Sequence, residues 1–218
     1  MEERNNINIV KKEDKHYPKQ LLQLADAPEV LYCIGDVRLL RKKCIAVVGS
    51  RKCSEYGKKV AMKIGKTAAE NGITVVSGMA KGIDYFAHLG ALQNGGDTIA
   101  VLGCGADICY PAANRNIYEE IREKGLLVSE EAPGTKPMPY MFPKRNRIIS
   151  GLAEAVAVVE AGTGSGALIT AELAAAQGRE VFAVPGNITS SYSLGCNKLL
   201  MDGARPIAVV DDIFTELG

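Results

Sequence analysis

The chain has 218 residues, 47% of them hydrophobic and 23% charged, with a formal net charge of +1. That length holds one sizeable α/β domain and leaves little for a second, and the near-neutral charge excludes a global basic field, so any nucleic-acid site must be a local patch. Six scattered cysteines without a C-x-x-C pair, and only His16 and His88, argue against a zinc site and for reduced thiols in a cytoplasmic protein; the N-terminus lacks a signal-peptide pattern, and no apolar run reaches the roughly 18 residues of a membrane helix.

Residues 1–43 show no repeating pattern. Within them YPKQLLQLADAPEVLYCIGD reads as a small helix and a strand-like piece. They are expected to form a short N-terminal extension packed on a main domain at 44–218. From residue 44 short β-branched runs end in glycine and alternate with longer helical patterns. The runs are CIAVVG (44–49), ITVVSG (73–78), TIAVLG (98–103), LLVSE (126–130), AVAVVEAG (155–162), EVFAVPG (180–186) and PIAVV (206–210). Continuous apolar runs suit parallel strands buried on both faces. Intervening segments such as YGKKVAMKIGKTAAENG and SGALITAELAAAQG have helix periodicity and stop at Gly72 and Gly178. The alternation predicts an α/β fold, Rossmann-like and doubly wound: a mostly parallel sheet with helices on both faces. Right-handed crossovers place every strand-to-helix loop on one edge, so functional loops are expected there, near a switch in strand order.

Known phosphate-binding motifs fail. GSRKCSEYG (49–57) follows a strand and precedes a helix, so its amides suit an anion. It is not G-x-G-x-x-G, however, and the second run ends in Ser77-Gly78 without an acid for a ribose. GKT at 65–67 lies inside a helical pattern with Val60 where a Walker glycine belongs. No catalytic set emerges either. Ser165 lacks nucleophile-elbow spacing, with Thr163 in the place of a glycine. Asp84 and His88 lie four apart on a predicted helix, where a helix-start acid and a structural histidine suffice. No cofactor or metal is expected.

The predicted edge loops are nonetheless rich in cations: Arg51, Lys81, Arg115, Lys136, Lys144, Arg145, Arg147 and Lys198. FPKRNRIISGL (142–152) sets an aromatic beside three cations and Asn146 before turning apolar. A site that grips a phosphate chain and stacks a base uses all of these. Phe142 is the candidate stacking platform; the competing expectation is a core plug. Arg145 and Arg147 should diverge in direction, one of them pairing with an acid such as Glu130 or Glu160.

Together these segments resemble the DNA-processing protein A family (DprA, also called Smf). The resemblance rests on Tyr17-Pro18 with Leu21, AVVGSR, YG, SGMAKGID, GCGADICYPAAN, FPKRNRIISGL, VVEAGTGSGALITAELAAAQGREVFAVPG and GCNKLLMDGA, which cover about residues 17–210. It implies a Rossmann-like domain that binds single-stranded DNA, forms a homodimer and helps load a RecA-type recombinase during natural transformation, without a catalytic reaction. The apolar NKLLMDGARPIAVV segment is a second motive for the homodimer. The DNA contacts so expected are Ser50, Arg51, Lys136, Phe142, Lys144, Arg145, Asn146, Arg147, Asn197 and Lys198. The alternative is a nucleotide phosphoribohydrolase-like enzyme or a nucleotide sensor on a related fold. For the enzyme, the glycine-rich turn at 160–170 departs from the required signature and Glu172 is displaced.

Overall fold

The computed structural model describes residues 7–217; the opening six residues of the expected N-terminal extension, and Gly218, lie outside them. Nine strands form one sheet: β1 (Asn8–Lys11), β2 (Val30–Gly35), β3 (Cys44–Val48), β4 (Thr74–Ser77), β5 (Thr98–Val101), β6 (Leu126–Ser129), β7 (Ala155–Val158), β8 (Glu180–Ala183) and β9 (Arg205–Pro206). Their spatial order is β1-β2-β6-β5-β4-β3-β7-β8-β9. β3 to β9 pair in parallel, whereas β2 adds antiparallel to β6 and β1 antiparallel to β2. The helices are α1 (Glu55–Glu70), α2 (Ile83–Gln93), α3 (Arg115–Lys124), α4 (Met141–Leu152), α5 (Gly166–Ala176), α6 (Leu194–Met201) and α7 (Asp211–Glu216). The fold is Rossmann-like and doubly wound.

Strand alternation feeds core on both faces of the sheet, because successive side chains leave opposite faces. Ile45, Val47, Ala155 and Ala157 pack with Ala61 and Ile64 of α1 and Ala87 of α2. Ala46, Val48, Val156 and Val158 pack with Ile148 and Ile149 of α4 and Ala171 of α5 on the other face. Each fully buried Ile or Val contributes roughly 1.5–3 kcal/mol, so the central strands carry much of the stability. The two predicted helix stops appear where expected: Gly72 and Gly178 take positive φ values of 66° and 70° just beyond α1 and α5.

Two departures from the sequence reading have local causes. PIAVV was expected to be a strand, but only Arg205 and Pro206 pair, and the chain then turns. Pro206 has no N–H to continue a ladder, and the Asp212 carboxylate accepts from the Ala208 and Val209 amides at 2.9 and 2.8 Å, which bends this stretch into α7. Ile207 and Val210 are buried as plugs instead. At the other end, β1 was not foreseen. It is four residues long with one buried side chain, so its sequence carries almost no periodic signal.

Beneath the sheet edge lies a buried histidine. His88, on α2, donates from Nε2 to the Gly78 carbonyl (2.6 Å), and its Nδ1 faces Thr98 Oγ1 at 2.6 Å. It does not pair with Asp84. Burial, with the nearby Arg145 charge, lowers its pKa to about 4. The unfolded chain therefore binds a proton that the folded chain refuses below the ordinary value of about 6.5, and stability falls as pH drops from there toward about 4. Between pH 7 and pH 5 this histidine should cost about 2 kcal/mol. Chemical denaturation at both pH values should show that loss in the wild type and a smaller one in His88→Gln; equal losses would remove His88 as the cause.

Candidate nucleic-acid interface

The crossover from β3 runs through α1 on one face, and that from β7 through α5 on the other, so the winding reverses between these adjacent strands. Such a switch leaves a crevice outside the carboxyl ends. Here it is a groove of about 740 Å³. Its walls are the first loop (Gly49 to Lys52), the glycine-rich turn (Gly162 to Gly166) and the first turns of α4, with Phe142, Pro143, Arg145 and Asn146. A smaller cavity of about 220 Å³ adjoins it, sharing Arg51, Ala80, Tyr110, Phe142 and Arg145 and adding Met79, Lys81 and Leu102.

Glu160, at the end of β7, holds the first wall. Its backbone carbonyl accepts from Ser50 N at 2.7 Å, and its carboxylate accepts from Ser54 N at 2.8 Å and from the Ser54 hydroxyl. Ser54 in turn caps α1 by accepting from Gly57 N at 3.0 Å. The loop after β4 locks onto the same wall: Ile83 N donates to Ser50 O at 3.2 Å. Gly82 makes that approach with φ of 77°, and a Cβ there would collide with the Ser50 carbonyl. Ser165, set aside as a nucleophile, caps α5.

The two arginines diverge as expected. Arg145 is 8% exposed and turns inward, donating to the Val101 carbonyl, while its Nε has no partner among the described residues. Its guanidinium and the Asp84 carboxylate converge over Gly78, where a Cβ would strike both. Burial pushes the Asp84 carboxyl up and Arg145 opposes that shift. Arg147 leaves on the other side of α4 and pairs with Asp26 and Glu130, each at 2.7 Å. Burial alone would raise Glu130, but hydrogen bonds from Arg147 and Lys144 hold it below the usual carboxylate range. The acid expected for this pairing was Glu130 or Glu160; it is Glu130, because Glu160 is committed to α1.

Phe142 is partly exposed on the groove wall. The Arg51 guanidinium lies 5.9 Å from its ring centroid, and the Tyr110 ring lies 5.5 Å away, tilted by 32°. Of the ten residues singled out from sequence, Ser50, Arg51, Phe142, Arg145 and Asn146 line this groove. Lys144 stands exposed, paired with Glu130 (2.9 Å) and Glu131 (3.3 Å), and Lys136 is exposed on the preceding loop. Arg147 is buried in its ion pairs. Asn197 instead clasps Gly186 through both backbone groups, and Lys198 lines a separate cleft with Glu172. Sequence reasoning missed Tyr110 and Lys52. The signals were an aromatic beside a proline in an edge loop and a second cation after Arg51.

The sequence model of the DNA recombination-mediator protein A family matches residues 8–218. DNA processing protein DprA of Streptococcus pneumoniae is 46% identical over 93% of this chain and 72% of its own length. Its X-ray structure superposes with a TM-score of 0.93, covering 98% of this chain and 75% of that one. Protein Smf of Escherichia coli is 42% identical over 99% of this chain and 58% of its own. DNA processing protein A from Helicobacter pylori is 31% identical, with a TM-score of 0.88 over 97% of this chain and 96% of that one.

The ion pairs of α4 yield a stability test. Arg147→Ala breaks a mostly buried pairing and should cost about 3 kcal/mol, whereas Lys144→Ala breaks exposed pairs and should cost less than about 1 kcal/mol. Urea denaturation of both variants checks the contrast, and equal losses would refute it. By sequence match over nearly its whole length and by fold, the chain belongs to the DNA recombination-mediator protein A family.

Proposed function

We propose that this chain binds single-stranded DNA without sequence preference in the groove at the β3–β7 switch. There it acts as a recombination mediator that helps load a RecA-type recombinase in natural transformation. One observation carries the reading: a partly exposed aromatic, Phe142, beside the Arg51 cation and a second ring, Tyr110, on a groove walled by the first loop and the glycine-rich turn. Every base has a π face, so stacking tolerates any sequence, and cations beside the ring meet phosphates. The Helicobacter pylori relative has been solved for its single-stranded DNA binding mode, which favours the same chemistry here.

In this reading residues 44–218 carry the DNA site and 1–43 pack beside it. Ser50, Arg51, Phe142, Arg145 and Asn146 contact the strand, with Lys136 and Lys144 as flanking cations. A homodimer working in the cytoplasm completes it. A binding role is favoured over a phosphoribohydrolase-like one because Glu172 lines the other cleft, away from the glycine-rich turn's groove, and Glu160 is consumed in capping α1.

Titrating labelled oligo-dT against a duplex of equal length at several salt concentrations tests this. The single strand should bind more tightly, with affinity falling as salt rises. Equal or tighter duplex binding would sink it, and release of free base from nucleoside monophosphates would favour the enzyme. Phe142→Ala should lose roughly 1–3 kcal/mol of binding with a nearly unchanged salt slope, because stacking releases no counterions. Arg51→Ala should lower both affinity and slope without altering the melting curve.

A further inference from the structure

The outward face of α1 is unlike that of α3. Positions 56, 59, 63, 66 and 70 follow three- and four-residue steps and so form one line along the helix. They hold Tyr56, Lys59, Lys63, Lys66 and Glu70, all exposed, while Gly57, Ala61, Ile64, Gly65 and Ala68 face inward. Tyr56 is 54% exposed at the start of this line. Residues 51–70 hold six cations (Arg51, Lys52, Lys58, Lys59, Lys63, Lys66) against two acids (Glu55, Glu70), in a chain whose net charge is only +1.

Those two acids sit at the helix ends and are already engaged, Glu55 with Lys58 and Glu70 with Lys66. Lys59 and Lys63 form no ion pair among the described residues. α3 provides the contrast. There both signs alternate and neutralise one another through Arg115–Glu119, Arg122–Glu119 and Lys124–Glu120, the ordinary pattern of a solvated helix. On α1 the positive charge along the middle of the line stays uncompensated.

The line also begins in the right place. Arg51 and Lys52 line the groove at the carboxyl edge of the sheet, and the chain passes from them directly into α1, which runs back along the sheet. Four residues of helix advance about 6 Å, so Lys59, Lys63 and Lys66 present ammonium groups at short, regular intervals over about 10 Å. A partner that meets such a row must itself carry regularly spaced negative charge.

We infer that this line is a second contact surface, on which the phosphate backbone of a single strand leaving the groove past Arg51 and Lys52 lies across Lys59, Lys63 and Lys66, with a base on Tyr56. The inference rests on the single-strand reading above and extends it from a groove that holds a few nucleotides to a track that holds a longer strand. Lysine suits the role: a solvated point charge on a flexible stem follows a backbone of variable shape and reads no base.

The test compares fluorescence anisotropy of oligo-dT of about 6 nucleotides, short enough for the groove, with one of about 25, long enough to leave it. The double variant Lys59→Ala/Lys63→Ala should bind the short strand like wild type. It should bind the long one about five- to tenfold more weakly, with a salt slope smaller by about 1.4, since each lost phosphate contact on a single strand removes about 0.7. Tyr56→Ala should weaken only the long strand and leave the slope unchanged. Both changes are at exposed positions, and melting curves verify that the fold is retained. A double variant that binds the long strand with wild-type affinity and slope overturns the track while leaving the groove reading intact. Wild-type protein that binds neither strand overturns both.

Discussion

The site depends on one buried carboxylate. Glu160 follows the strand on one side of the switch point by two residues and reaches across to hold the loop that follows the strand on the other. It satisfies Ser54 N–H, while its carbonyl takes Ser50 N–H. Without the carboxylate, the Ser54 N–H and hydroxyl would lose their partner, and the start of α1 would lose its anchor. The groove is thus a gap spanned by a strut. Arg51 and Lys52 project from the strutted loop, and Phe142 faces Arg51 from α4.

α4 has to do two things, and its residues divide accordingly. Ile148 and Ile149 belong to the core on one side of the sheet. Arg147 ties the helix to Glu130 after β6 and to Asp26 in the N-terminal segment. Arg145 reaches beneath the sheet edge toward Val101 and Asp84. These inward contacts fix the helix, so Phe142 and Asn146 are presented by a rigid element instead of a mobile loop. The short FPKRNR sequence therefore combines anchors and contact residues at adjacent positions, which explains its density of charge.

Much of this was legible in the sequence, for physical reasons. Strands such as CIAVV and AVAV are buried on both faces and so read as unbroken apolar runs. Gly72 and Gly178 marked helix ends because only glycine adopts that backbone cheaply. The divergence of Arg145 and Arg147 followed from the helical step between them. What stayed hidden depends on tertiary partners. Nothing local assigns Asn197 to clasping Gly186, or Lys198 to a different cleft. Tyr110 became visible only when its ring met that of Phe142. The end of the PIAVV strand was set by a carboxylate, Asp212, that lies beyond the run itself.

The two margins of the sheet carry a consequence of their own. β9 is two residues long, and Pro206 has no amide hydrogen to offer; β1 is four residues long and ends in Lys11. Both are poor templates for an incoming strand. Copies of this fold are thereby steered away from joining their sheets into one continuous ribbon. Self-association of such copies is left to side chains on helices and loops, where only a symmetric, self-complementary patch closes at a fixed number of subunits.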